Sequence, residues 1–124
     1  MICTAIDARG DFASVDATPI DFTLFELTEH ATSGGRLLIV LRRPSDGASK
    51  MWDIATLQRR DNNVVVNLAN QGAAAIGFAA DLTLLTAAGI AFFTSGVNVG
   101  VKCTGLAGTM LEWCIRYNGV QIID

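Results

Sequence analysis

The stretch VNVGVKCTGLAGTMLEWCIRYNGVQII, residues 97–123, decides the fold class. Two parts of it alternate apolar side chains with polar or small ones, at Val97, Val99, Val101 and Cys103 and at Leu111, Trp113, Ile115 and Tyr117. An alternation of period two places each apolar set on one face of a β-strand. The stretch therefore predicts strands over 97–103 and 109–117, each with one buried face.

Two links in the same stretch predict hairpins. Asn118-Gly119 is a strong signal for a tight turn, because both positions of that turn favour positive φ. Such a turn starts a last strand at 120–123 and places Val120 opposite Tyr117 and Ile122 opposite Ile115, so that the apolar faces of the two strands coincide on the core side. A loop over 104–108 is expected to join the two longer strands, because a loop shorter by one residue would oppose an apolar face to a polar one. We expect Gly105 or Gly108 to supply a positive φ there.

The cysteines give a check on this register. The chain has three cysteines, Cys3, Cys103 and Cys114, and no pair has the two-residue spacing of a zinc or thioredoxin-type motif. The alternation places Cys103 on the core side and Cys114 on the opposite side. We therefore predict that no disulfide joins Cys103 to Cys114, and that the cysteines are free.

Further strands are predicted upstream, at 20–27, 36–43, 50–59, 64–68, 82–87 and 90–95. Turn formers separate them, namely Pro44 with Asp46-Gly47 and later Asp61-Asn62-Asn63. Trp52 is expected to lie under the sheet as an aromatic anchor of the core. Many short strands at this spacing are typical of a sandwich, a jelly roll or a barrel. We predict an all-β, single-domain antiparallel β-sandwich or jelly roll over 20–124, preceded by an extended N-terminal arm over 1–19.

Composition limits the function classes. The chain has 124 residues, of which 51% are hydrophobic and 17% charged, and a net charge of −3. These values fit one ordered domain, since disordered chains are polar and highly charged. The charge lacks the strongly basic character of nucleic-acid-binding domains, so we expect no nucleic-acid partner. The first residues carry neither a basic region nor an apolar core of a secretory signal, so synthesis in the cytoplasm is expected.

Residues 72–93, GAAAIGFAADLTLLTAAGIAFF, test a membrane alternative, because they are long enough to span a bilayer. Asp81 lies near the middle of this segment, where a charge is costly, and neither flank is basic. We therefore favour two buried strands with Asp81 at a turn, and expect no membrane partner.

No constellation of residues predicts catalysis, a cofactor or a metal. The chain has one histidine, His30, which could pair with Glu29 but more readily lies at the surface of a loop. Asp7, Asp11 and Asp16 do not have the spacing of a calcium loop. We expect no catalytic, cofactor-binding or metal-binding residues, and therefore a protein that is not an enzyme.

Two arginine pairs, Arg42-Arg43 and Arg59-Arg60, close opposite ends of the hairpin predicted over 36–59. They could bind a phosphate or a carboxylate-rich partner, contact another protein, or blunt the strand ends against edge-to-edge association. The last interpretation is favoured.

One order of elements resembles a known family. A tryptophan-containing strand leads into LQRRD at 57–61 and a valine-rich strand, and the closing strands carry Val101, Thr104, Gly105, Ala107 and Trp113. This pattern over residues 52–117 resembles a β-sandwich module in structural proteins of tailed bacteriophages, both tail-fibre-like and capsid-associated. Cys103 stands where valine is usual. The resemblance implies a structural role in the virion and no enzymatic residues.

On this basis we expect a capsid decoration (cement) protein on the capsid surface. It would be a trimer that clamps the major capsid protein and cross-links the head laterally, gaining avidity from several weak contacts. A tail-fibre or spike receptor-binding module is the alternative, which would carry an exposed aromatic patch or groove. A small jelly-roll enzyme would need His30 to converge with carboxylates.

Overall fold

Strands make up most of the chain in the computed structural model, which describes residues 1–72 and 74–124. The elements in chain order are β1 (Ile2–Ser14), β2 (Ile20–Glu26), β3 (Ala31–Arg42), β4 (Ser49–Asp61), β5 (Val64–Gln71), α1 (Ala79–Leu84), β6 (Gly89–Ser95), β7 (Asn98–Thr104) and β8 (Leu111–Ile123). They form a five-stranded sheet in the order β1-β8-β3-β4-β5 and a three-stranded sheet in the order β2-β7-β6. All neighbouring strands are antiparallel, and the predicted all-β sandwich is confirmed.

The core lies between the inner faces of the two sheets. Trp52 and Trp113 stack there with ring centroids 6.1 Å apart and planes inclined by 7°. Phe12 stacks on the other side of Trp113, at 5.9 Å, and the indole N–H of Trp113 donates to Ser14 Oγ at 3.0 Å. Each such side chain contributes about 1.5–3 kcal/mol when it leaves water. The expected burial of Trp52 is confirmed.

The hairpins around β4 follow the sequence signals. β3 pairs with β4 from Thr32–Arg59 to Arg42–Ser49, and Gly47 in the intervening turn has φ +77°. Asn62, in the turn between β4 and β5, has φ +58°. Arg43 braces the first turn through two hydrogen bonds to Asp46, which lower the pKa of that carboxyl to about 2.

The last predicted turn is wrong, because β8 runs straight through Asn118-Gly119. That pair is hydrogen-bonded between β1 and β3 on both sides, so its backbone is held extended. Gly119 lies opposite Gly35, where the Tyr117 ring covers both glycines: a Cβ on Gly35 would be 2.8 Å from Tyr117 Cζ and 2.4 Å from Asn118 O. Val120 and Ile122 consequently face away from the core, not into it.

The hairpin predicted over 97–117 is also wrong, since β7 and β8 belong to different sheets. The link between them crosses the sandwich, with Gly108 at φ +62°. The predicted inward faces are nevertheless confirmed: Val99, Val101 and Cys103 are buried on β7, and Leu111, Trp113, Ile115 and Tyr117 on β8. Cys103 is buried, Cys114 is exposed, and both are free. Burial raises the pKa of the Cys103 thiol to about 12.

Residues 1–19, predicted as an extended arm, supply β1 to the larger sheet. β1 pairs with β8 in unbroken register from Ile2–Ile123 to Ser14–Leu111. Alternate residues of β1, among them Ile6, Ala8 and Phe12, pack against the core. The arm is extended, and its docking surface is the sheet of its own chain.

The strand predicted over 82–87 is wrong, because α1 begins at Ala79 and ends at Leu84. Alanine and leucine favour a helix here, and the Asp81 carboxylate accepts a hydrogen bond from the backbone N–H of Ser49 at 3.1 Å. The second strand of this segment is confirmed as β6, and Ala73 lies outside the described residues. Within the described part of the chain, no helix is long and apolar enough to cross a membrane.

A buried lysine holds the segment between α1 and β6. Lys50 Nζ donates to the carbonyl oxygens of Leu85, at 2.6 Å, and Ala88. The same ammonium lies 4.9 Å from the ring centroid of Trp52, within reach of a cation–π interaction. Burial lowers the pKa of Lys50 because the charged form is desolvated.

Candidate interaction face

The sides of the two sheets that face away from the core differ in composition. We call these sides the large face, on the five-stranded sheet, and the small face, on the three-stranded sheet. The strands of the large face carry exposed large apolar side chains at Leu38, Val40, Leu57, Val64, Val120 and Ile122. In β2, β6 and β7, all described, no large apolar side chain is exposed to that extent. An apolar surface that is confined to one face marks a candidate interaction site.

The sequence of β3 explains much of the large face. Residues 37–41 are an unbroken apolar run, LLIVL, so alternation supplies apolar side chains to both sides of the strand. Leu37, Ile39 and Leu41 are fully buried, whereas Leu38 and Val40 are exposed. A strand that is apolar at every position is typical of one covered on both faces. The unbroken apolar run is therefore a sequence signal from which this exposed apolar face could have been predicted.

One apolar cluster of the large face lies beside β4. Val40 is paired with Met51, and Met51 in turn bridges to Ile76. Phe78 lies beside this row with 82% of its surface exposed. Together these side chains line an open groove of about 510 Å³. Phe78 and Ile76, at 82% and 53% exposure, are the most exposed of these side chains, and we call the edge of the groove that they form the Phe78 ridge.

A depression lies on the other side of Val40. It has a volume of about 480 Å³ and is lined by residues of β1, β8 and β3, among them Asp11, Cys114, Val40 and Arg42. Cys114 is the β8 partner of Val40, just as Met51 is its β4 partner. This depression, called here the Cys114 hollow, and the Phe78 ridge therefore flank the central strand β3 at the same level.

A second apolar cluster lies toward the start of β3. Gly34 is paired with Val120 on one side and with Leu57 on the other. Without a side chain at Gly34, the space between these two residues stays open: a Cβ there would meet Leu57 Cδ1 only at 3.7 Å. Val120 and Leu57 are 50% and 41% exposed, so the cluster is accessible.

Charged residues separate the two apolar clusters. Arg36 donates two parallel hydrogen bonds to Asp53, at 3.0 and 2.9 Å, which lower the pKa of Asp53 and raise that of Arg36. Asp7 lies 3.3 Å from Arg9 and 3.9 Å from Arg116. These residues form a charged band across the large face and carry both signs of charge. The band therefore does not repel a partner surface that also carries both signs.

The small face is built differently. Phe93 lies over Gly100, where a Cβ would approach Phe93 Cζ to 2.6 Å, so its ring is partly covered. Lys102 lies 3.7 Å from Asp21 across the neighbouring strand pair. Thr23 and Ala91 occupy the adjacent outward positions. The small face is thus polar or covered where the large face is apolar and open.

The residues examined as candidate chemical sites do not converge. His30 is exposed at φ +59°, with its Nε2 3.7 Å from the Glu29 carboxylate. Asp16 accepts a hydrogen bond from the backbone N–H of Thr18 at 2.8 Å. In residues 1–72 and 74–124, no group of three or more His, Cys, Asp or Glu side chains is arranged to hold a metal ion.

The arginine pairs have mainly local partners. Arg59 bonds Asp61 at 3.1 Å, and Arg43 bonds Asp46. Arg60 donates to the carbonyl oxygens of Leu27, at 3.0 Å, and Asn62, at 2.7 Å. These three side chains brace turns at the ends of the β3–β4 hairpin. The interpretation that the pairs blunt the strand ends against association stays a prediction.

Comparisons with known proteins assign no family to the chain. No protein-family model matches the chain, and no curated protein matches it. Among solved structures, the chain is similar to the tailspike protein of Acinetobacter phage vB_ApiP_P1, with a TM-score of 0.45 and 14% sequence identity. The match covers 90% of this chain and 22% of the tailspike chain.

Proposed function

We propose that this chain is a non-enzymatic structural protein of a virion, and specifically a capsid decoration protein that binds the major capsid protein on the head surface. The observation that carries the proposal is the concentration of exposed apolar side chains on the large face. Such a surface is costly in water and becomes favourable when another subunit covers it. The sequence pattern over 52–117 supplies the virion context.

The proposal includes self-association, and the resemblance of residues 52–117 favours three copies. A decoration protein acts by linking neighbouring capsid subunits, so each copy needs a stable body and more than one contact surface. The continuous pairing of β1, β8, β3 and β4 gives a rigid platform for such contacts. Several weak contacts on one rigid body act together, which raises the overall affinity for a shell.

The absence of an enzymatic role belongs to the same proposal. His30 and Glu29 are both exposed, side by side in one turn. The buried polar side chains around Gln58 are engaged with one another: Ser33 Oγ donates to Gln58 Oε1 at 3.2 Å, and Thr56 Oγ1 lies 3.1 Å from Tyr117 Oη. These contacts support a structural role for the polar groups of the core.

A shell-binding measurement tests the proposal. Purified protein is mixed with undecorated capsid shells of the phage that encodes it, and co-sedimentation is measured. We expect wild type and Ala91→Asp, which places a charge on the small face, to bind equally. Val120→Asp, on the large face, should bind at least tenfold more weakly. Absence of wild-type binding would overturn the decoration role, and equal binding of both variants would exclude the large face.

A tail-spike receptor-binding module is the second candidate. Phe78 favours it, because an exposed aromatic beside a groove suits recognition of a receptor on the host. The burial of Trp52 and Trp113, at 4% and 2% exposure, favours the decoration role, since the largest aromatic rings are not available at the surface. Competition with phage adsorption to host cells distinguishes the candidates: a receptor-binding module blocks adsorption, and a decoration protein does not.

A further inference from the structure

We propose that two copies of this chain pair through their large faces, with Phe78 of each copy seated in the Cys114 hollow of the other. This pairing does not depend on the virion role. It covers the large face with a second copy, so the pair would contact a shell through its remaining surface, and Val120→Asp would weaken shell binding by breaking the pair and its avidity. Its basis is that the large face contains both halves of a matching contact, related by rotation about its central strand.

The shapes match about β3. β3 is the middle strand of the five, with the Phe78 ridge on the β4 side and the Cys114 hollow on the β8 side. Val40 lines both the groove that the ridge borders and the hollow, so ridge and hollow lie at one level along the strand. A two-fold axis parallel to β3 exchanges the two sides. In a face-to-face pair, each ridge then meets the partner's hollow.

The same axis matches the chemistry along the face, because it places β8 of one copy over β4 of the other. At the level of Gly34 it brings Val120 to the partner's Leu57, and at the level of Leu38 it brings Arg116 to the partner's Asp53. Apolar residues therefore meet apolar residues, and a cation meets a carboxylate.

The charged positions in the contact need separate treatment. Arg36 lies on the axis, but its charge is already paired with Asp53 of its own chain. At the level of Thr32, Ile122 would meet the partner's Arg59, whose aliphatic stem can cover an apolar side chain while its head pairs with Asp61. Neither Arg36 nor Arg59 places an unpaired charge in the contact. Arg42 also lies on the axis and lines the Cys114 hollow together with Asp11 and Glu112. Glu112 is the β8 partner of Arg42, so opposite charges adjoin where Phe78 would sit.

The area is sufficient for a stable pair. Five strands about 4.8 Å apart, with a length of about 40 Å for the 12 residues of β3, give roughly 750 Å² on each copy. Stable specific complexes bury about 800 Å² per partner. Aligned sheets pack face to face with mean strand directions within about 30° of each other, and an axis parallel to β3 keeps the two β3 strands parallel, which lies within that range.

A second copy is the occupant that these observations favour. A different partner would have to reproduce the ridge, the hollow and the order of charges, whereas this chain carries all three. The pairing predicts two copies, whereas the virion resemblance favours three. The mass of the assembly in solution therefore distinguishes the two predictions.

Sedimentation equilibrium over a dilution series tests the pairing. We expect wild type to reach twice the chain mass of 13.1 kDa. Phe78→Asp should raise the dissociation constant at least tenfold, whereas the matched control Ala91→Asp on the small face should leave it unchanged. A monomer into the millimolar range, a trimer, or a dimer that Phe78→Asp does not weaken would overturn the proposal.

A chemical cross-link tests the contact itself. In a Cys3→Ser background, Phe78→Cys places a thiol on the ridge, close to the partner's Cys114. A short bismaleimide should then yield a covalent dimer, which Cys114→Ser should abolish. A dimer by mass that gives no such product would overturn the seating of Phe78. A dimer that fails to bind shells leaves the pairing intact and overturns the virion role, and a monomer that binds shells does the reverse.

Discussion

The strands of the large face and of the small face both alternate inward and outward side chains. The two faces differ in the chemistry of the outward side chains. On β7, inward Val99 and Val101 alternate with outward Gly100 and Lys102, so the small face is polar or covered. On β3, outward Leu38 and Val40 are as apolar as the inward residues beside them. Alternation alone therefore makes a sandwich, and the identity of the outward residues decides which sheet exposes an apolar face.

A second difference concerns the glycines of each face. Gly34 leaves open space between Val120 and Leu57, while Gly100 accommodates the ring of Phe93. On the large face a missing side chain keeps a cluster accessible, and on the small face it lets an aromatic residue lie flat against its own sheet. The contrast indicates that the small face is completed within the chain and the large face is not.

The largest expected effect on the free energy of unfolding comes from the substitution of Lys50, in the five-stranded sheet, and Lys102, in the three-stranded sheet, is the comparison. Lys50→Met removes the donor to the carbonyl oxygens of Leu85 and Ala88. We expect a loss of about 2–3 kcal/mol because the Ala88 oxygen loses this donor, whereas the Leu85 oxygen still accepts from the backbone N–H of Ala88 at 3.0 Å. Lys102→Met on the small face, where the ion pair with Asp21 is exposed, should cost less than about 0.5 kcal/mol. Urea denaturation measures both. Equal losses would show that Lys50 does not hold the α1–β6 segment.

The next largest expected effect on stability comes from the substitution of Gly100, on the small face, and Gly34, on the large face, is the comparison. Gly100→Ala forces a Cβ to within 2.6 Å of Phe93 Cζ and 2.7 Å of Phe22 O, so we expect a loss of about 1–3 kcal/mol from overpacking. Gly34→Ala meets only ordinary contacts, the nearest at 3.6 Å, and should change stability by less than about 0.5 kcal/mol. Thermal unfolding of the two variants compares them directly. A larger loss at Gly34 would mean that the large face is more tightly packed than described.

The smallest expected effect is on pH dependence. The hydrogen bonds from Arg36 lower the pKa of Asp53 in the folded state. The stabilisation from a carboxylate with a lowered pKa is complete above its unfolded pKa, near 4, and is lost as the pH falls through the folded value. Asp53→Asn should therefore flatten the acid side of the stability profile, measured by urea unfolding between pH 2 and pH 6 in steps of about one unit. Asp21→Asn, on the small face, is the matched control. An unchanged profile in Asp53→Asn would contradict the assignment.

Part of this architecture could be predicted from local pattern. Alternation identified the inward residues of β7 and β8, and turn chemistry placed the β3–β4 and β4–β5 links at Gly47 and Asn62. The large face was not predicted. Its Val120 and Ile122 had been assigned to the core, because Asn118-Gly119 favours a turn when it is considered without its neighbours.

What the sequence determined by itself is the set of properties that depend on a few adjacent residues: the strand periodicity, the positions where φ can be positive, and the side of each strand that avoids water. What only the tertiary structure decided is which strands share a sheet, and thus that β7 and β8 separate, that β1 closes an edge and that Asn118-Gly119 stays extended between two neighbours. The physical reason is that backbone hydrogen bonds between strands join residues far apart in the chain, and their combined contribution outweighs the conformational preference of a single dipeptide.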